Sequence, residues 1–106
     1  MIEFSEGIYK FYVYILTNKR KTVLYTGVTG NLHQRLYHHS IKRNSNSFTA
    51  RYNVEFLIYY EKFGWVQQAI EREKEIKNFS RNKKLELIRS VNPNLDFWNY
   101  LFKDIM

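Results

Sequence analysis

Three side chains gathered at one corner of this sequence suit work on an anionic phosphate. A β-prone run (Val23, Leu24, Tyr25) breaks at Gly27 and Gly30, and Asn31 then offers a side-chain oxygen to cap a helix. Arg35 and His39 are four apart on that helix, so they leave one face one turn apart. The Tyr25 phenol, the Arg35 guanidinium and the His39 imidazole meet at the strand-to-helix corner. That set fits a phosphodiester better than it fits a hydrophobic core.

The elements that must position these groups are readable in order. Phe11 to Leu16 reads as a strand, Thr17 to Thr22 as a turn, and Val23 to Val28 as a second strand. A symmetric loop at Asn18–Lys21 places Tyr14 directly opposite Tyr25, with β-carbons about 5 Å apart. The two phenols then serve the chemistry, or only stabilise the hairpin. The helix from about Leu32 to Lys42 turns Leu32 and Leu36 inward and His33 and His38 to solvent. After a polar loop, a third strand from Val54 to Glu61 sets Phe56, Ile58 and Tyr60 against Leu57 and Tyr59 on the other face.

The next helix, about Val66 to Asn78, carries Val66, Ala69, Ile70 and Ile76 on an arc of about 120°. Glu73 falls in the middle of that arc, while Glu71, Lys74 and Glu75 lie outside it. A lone carboxylate on a buried stripe needs a cation, a donor or a metal. An ion pair with Lys77 and a metal ion are equally open readings. Ser80 caps a further helix with Leu85, Leu87 and Ile88 on its apolar side, and Asn92-Pro93 stops it. The fold class is α+β: a small, mostly antiparallel three-stranded sheet flanked by helices in the order β-β-α-β-α-α. Residues 1–9 read as a lead-in, 10–92 as the domain, and 93–106 as a closing segment packed on it.

Composition narrows the partners. Seventeen Lys and Arg against ten Asp and Glu give a net charge of +7, and the pI is near 9.7. Such a domain attracts nucleic acid first and an anionic membrane surface a distant second. No apolar run is long enough to cross a bilayer, and Met1 to Glu6 lacks the pattern of a secretory signal. With no cysteine, disulfides and thiolate metal sites are excluded, which fits a cytoplasmic setting. Aromatic residues make up 18% of the chain, enough both to fill a core and to stack on bases. Lys19, Arg20, Lys21, Lys42, Arg43, Arg81, Lys83 and Lys84 are candidate phosphate contacts.

Together these motifs resemble the GIY-YIG nuclease superfamily, and within it the small single-domain bacterial proteins, similar to the N-terminal domain of a bacterial excinuclease. Tyr12-Val13-Tyr14 stands where the first motif belongs and Tyr25-Thr26-Gly27 where the second does. Arg35 and His39 follow at the family's spacing. Ala69 to Lys77, Ser80 to Lys84, Phe48-Thr49-Ala50-Arg51-Tyr52 and Asn92-Pro93 also match. The literal Gly7-Ile8-Tyr9 spells the family's name but lies too far upstream of Tyr25. Thr26 replaces the family's isoleucine, and Leu85 stands where many relatives carry an asparagine.

The resemblance implies a metal-dependent endonuclease acting on nucleic acid, DNA before RNA, with Mg²⁺ or Mn²⁺ held by Glu73. Arg35 would stabilise charge on the phosphate, and Tyr14, Tyr25 or His39 would position or deprotonate the attacking water, with the base left open among them. Gly27 would let substrate approach the backbone. A nucleic-acid-binding module with little or no activity is the alternative; a protein-docking surface is a third reading.

Overall fold

The β-branched and aromatic run from Phe11 forms the central strand of a three-stranded sheet, because side chains on both of its faces have helices to pack against. A computed structural model describes residues 10–42 and 46–102. The lead-in 1–9, with Gly7-Ile8-Tyr9, the candidate Arg43 and residues 103–106 lie outside the described residues. The strands are β1 (Phe11–Thr17), β2 (Leu24–Thr29) and β3 (Phe56–Phe63). All pairings are antiparallel and the spatial order is β2-β1-β3. The helices are α1 (Leu32–Ser40) and α2 (Phe48–Arg51) between β2 and β3, and α3 (Val66–Lys77) and α4 (Arg81–Arg89) after β3, with a 3-10 helix at Asn99–Phe102 as the last described element. The α+β class and the three-stranded sheet are as the sequence indicates; α2 is an addition.

The hairpin register differs from the expected one. Tyr14 pairs with Gly27, and Tyr25 pairs with Leu16. The cause is the turn, which closes at Thr17 and Leu24 rather than at Thr17 and Thr22. Asn18 Oδ1 accepts the amides of Thr22 at 2.8 Å and Val23 at 3.1 Å, and Thr17 Oγ1 donates to the Val23 carbonyl at 2.7 Å. Lys21 takes a left-handed φ of 62°, and its amide donates to the Asn18 carbonyl at 2.9 Å. The shift is even, so both phenols stay on one face and become diagonal neighbours.

A second departure lies in β3. Ile15 pairs with Tyr59 and Leu16 with Leu57, so Ile58 is an extra residue at a β-bulge. The strict alternation expected from Phe56 to Tyr60 is therefore broken. Ile58 and Tyr59 pack on the same side as Val13 and Ile15, with Ala69 and Ile76 of α3, Ile88 of α4, and Leu95. Leu57 joins Tyr14, Leu16, Val54 and the α1 residues Leu32 and Leu36 on the opposite side, where Tyr60, Trp98 and Phe102 cover them.

α3 lies across all three strands, and its buried seam is narrower than the helical wheel suggests. Ala69, Glu73 and Ile76 are buried, at i, i+4 and i+7, whereas Val66 and Ile70 are exposed. Arg72 ties this helix to β3, donating to both Glu61 oxygens at 2.9 Å and to Glu75 at 2.8 Å. Beyond α4, the buried Asn92 donates to the carbonyls of Ile58 at 2.8 Å and Asp96 at 2.9 Å and accepts the Asp96 amide at 2.9 Å. The closing segment then bonds to β3. Asn99 Oδ1 accepts the Leu57 amide at 2.7 Å, and the Trp98 amide donates to the Leu57 carbonyl at 2.6 Å.

Candidate active site

The corner identified in the sequence is built by one cap. Asn31 Oδ1 accepts the Gln34 amide at 2.9 Å and starts α1, while Thr29 Oγ1 fixes the Asn31 amide at 3.1 Å. From the first turns of α1 the Arg35 guanidinium reaches the sheet, where Nη1 donates to Tyr14 Oη at 3.4 Å. One turn later His39 lies beside both phenols. The ring centroids of Tyr14, Tyr25 and His39 form a near-equilateral triangle, with sides of 6.4, 6.3 and 6.1 Å.

Gly27 has a different use from the one expected. A β-carbon there would lie 2.5 Å from Tyr14 Oη and 2.6 Å from its Cζ. The Tyr14 ring, not substrate, fills the space that the missing side chain leaves. Glycine opposite tyrosine is thus what lets the phenol lie flat over the neighbouring strand.

The protonation states follow from this packing. Tyr14 is fully buried, and burial, with a further push from Tyr25, raises its phenol to about 12 against the opposing charge and hydrogen bond of Arg35. It keeps its proton at neutral pH. His39 is lowered to about 4, chiefly by burial and then by the charges of Arg35 and His38, so its imidazole is neutral. His39 Nδ1 lies 3.0 Å from Thr49 Oγ1, and Nε2 is buried with no hydrogen-bond partner among the described residues. His33 is exposed as expected, but His38 is half-buried and packs against Tyr37.

Thr49 belongs to α2, an element that the sequence reading did not resolve. The available signal was Ser47, whose hydroxyl accepts the Ala50 amide at 3.2 Å as an N-cap. α2 buries Thr49 and Ala50 and lays Phe48 on Tyr25, with centroids 6.3 Å apart and planes at 23°.

Glu73 is buried on the α3 seam, close enough for its charge to act on the Tyr14 phenol. Its Oε2 lies 2.6 Å from Lys77 Nζ. Of the two readings left open, the ion pair is the one present. The pair is asymmetric: the Lys77 side chain is 53% exposed and the Glu73 side chain 12%. The hydrogen bond that Lys77 donates to Glu73 raises the Lys77 pKa, and Tyr25 also acts on its charge. Among the described residues no three His, Cys, Asp or Glu side chains group as a metal site. A lone carboxylate fits one kind of ion, a hard cation that keeps most of its water and takes its remaining ligands from substrate. Mg²⁺ and Mn²⁺ qualify, provided that Lys77 yields.

The described basic candidates make other contacts. Arg81 donates to the Lys21 carbonyl at 3.4 Å, Lys83 lies 4.4 Å from the Phe79 centroid, and Lys42 is 4.0 Å from Glu55. Lys84 is half-buried on α4. None of these contacts reaches the tyrosine triangle. No helix among the described residues is long and apolar enough to cross a membrane.

A three-stranded antiparallel sheet with this corner is the fold of a small nuclease domain: the GIY-YIG catalytic domain family matches residues 10–86. The chain belongs to the GIY-YIG family, and its relatives include UPF0213 proteins. One from Staphylococcus haemolyticus is 40% identical over 79 residues, covering 74% of this chain and 94% of the relative. Another, from Clostridium perfringens, is 42% identical over 83 residues, covering 74% and 83%. The solution NMR structure of a UPF0213 protein from Bacillus halodurans matches with a TM-score of 0.52 at 26% identity, over 91% of this chain and 98% of that one.

Proposed function

We propose that the protein is an endonuclease that hydrolyses a nucleic-acid phosphodiester, DNA in the first instance, at the cluster formed by Tyr14, Tyr25, Arg35, His39 and Glu73. The observation that carries this is the meeting of a guanidinium and three aromatic polar rings from β1, β2 and α1 in one place, within electrostatic reach of the buried carboxylate of α3. A hydrophobic core needs neither the guanidinium nor the imidazole, and the family is one of nuclease domains.

Glu73 would hold the divalent ion, which when bound supplies a Lewis acid at the phosphate and neutralises the departing oxygen. The Arg35 guanidinium stabilises negative charge on the phosphate as it becomes five-coordinate, a role suited to its planar set of donors. Tyr14, proton retained, acts as a hydrogen-bond donor and not as the base. His39 is neutral across the physiological range, and its Nε2 is the polar atom available to orient or accept a proton from water. Tyr25 completes the wall on the strand side.

The test is a cleavage panel over single-stranded, duplex, flapped and branched DNA and RNA, with Mg²⁺, Mn²⁺ or chelator. Divalent-dependent cutting that falls to background in Glu73→Gln, and by about 10²-fold in Arg35→Lys, supports the reading. A folded protein that binds nucleic acid with a steep salt dependence yet cuts none of the panel supports the inactive binding module instead.

A further inference from the structure

We infer that Phe48 and Tyr52 form a stacking platform for an unpaired nucleobase next to the scissile phosphate, and that the site therefore takes single-stranded or locally opened nucleic acid in preference to continuous duplex. The inference rests on the nuclease reading above and adds a substrate class to it.

Four observations converge. Phe48 and Tyr52 are 47% and 48% exposed, and neither belongs to the core clusters on the two faces of the sheet. Their centroids are 4.8 Å apart with the planes at 43°, so the two rings adjoin as one bent aromatic surface. That surface is fixed in direction, because the other side of α2 is anchored by buried Ala50 and by Thr49, which is bonded to His39. It also starts at the site itself, since Phe48 lies on Tyr25. The ladder runs Tyr25, Phe48, Tyr52 and ends under a cation: the Arg51 guanidinium carbon is 5.9 Å from the Tyr52 centroid.

Two large rings left in water beside a guanidinium are poor use of apolar surface for folding alone. They match a base followed by its phosphate: π faces for the base, a cation for the backbone. A base inside a duplex has both faces covered by its neighbours, so only an unpaired or displaced base can occupy the platform. The net charge of +7 supplies the sequence-independent attraction.

The test measures binding in EDTA, where no cutting occurs, of strands of about 12 nucleotides carrying 2-aminopurine, single-stranded and fully paired. The single strand should bind with quenched fluorescence. Tyr52→Leu, which leaves Tyr25 untouched, should weaken it about tenfold and abolish the quenching, with duplex binding unchanged. Phe48→Leu should act in the same direction. The inference is overturned if both strand types lose affinity equally in Tyr52→Leu, if the single strand is unaffected by both substitutions, or if no nucleic acid binds. A parent protein that cuts nothing with Mg²⁺ but shows the quenching sinks the nuclease reading and leaves the platform standing. One that cuts while both variants bind normally does the reverse.

Discussion

Lys77 Nζ lies 2.6 Å from Glu73 Oε2, one turn along the same face of α3. The carboxylate proposed to hold a divalent ion is thus already neutralised by a side chain that is itself mostly in water. A half-exposed pair of this kind is worth about 1 kcal/mol at most. The ammonium is on a long stem and can move out without disturbing the helix. Lys77→Met should therefore raise Mn²⁺ affinity about fivefold, read by calorimetry. It should also enlarge the metal-induced rise in melting temperature, because the carboxylate is left without its cation until metal arrives. Unchanged Mn²⁺ affinity would separate Glu73 from the metal.

Gly27→Ala should damage the site from within the sheet. The new methyl group would meet the Tyr14 phenol at 2.5 Å, and Tyr14 is fully enclosed. We expect a loss of about 1–3 kcal/mol in denaturant unfolding, typical of overpacking. The Arg35 to Tyr14 contact should be lost with it, and cleavage should fall further than stability alone explains. Gly27→Ala paired with Tyr14→Phe, which removes the atom in closest conflict, should recover part of the stability but not the activity.

His39 gives a pH signature. Its folded-state value of about 4 lies below the ordinary 6.5, so the unfolded chain binds the proton more readily. Stability from this group is intact above about 6.5 and declines as pH falls towards 4. The imidazole Cε1 proton should titrate with a midpoint near 4 by NMR. The pH–rate profile should show no inflection from this residue near 6.5.

Asn92→Ala should be a pure stability variant. The side chain is buried and makes three hydrogen bonds, two to carbonyls and one from an amide. Truncation strands those backbone groups, at a cost of about 1–3 kcal/mol. The melting temperature should drop, while cleavage by the folded fraction should match the parent.

Most of the fold was legible because it rests on local signals. Gly30 and Asn31 mark the strand-to-helix corner, although Gly27, read as a break, lies inside β2; the i, i+4 spacing puts Arg35 and His39 together, and Ser80 caps α4 as read. What the sequence concealed depends on contacts between distant segments. The hairpin register was set by Asn18 reaching over its own turn, which a symmetric loop does not anticipate. Ile58 is an extra residue only in relation to β1. The exposure of Val66 and Ile70 depends on where α3 meets the sheet, since a helical wheel gives direction but not the width of the covered seam. Whether Glu73 met a metal or Lys77 was undecidable from the wheel for the same reason: both partners suit a buried carboxylate equally.

The bonds from Trp98 and Asn99 to Leu57 have a consequence for how the protein should be shortened or joined to others. The GIY-YIG match stops at residue 86, yet the outer rim of β3 is stitched to a segment well beyond it. Trimming to the limit of resemblance would unzip that rim and offer its bare amides and carbonyls to any passing strand. Self-association, rather than lost chemistry, is then the first defect a truncated version should display.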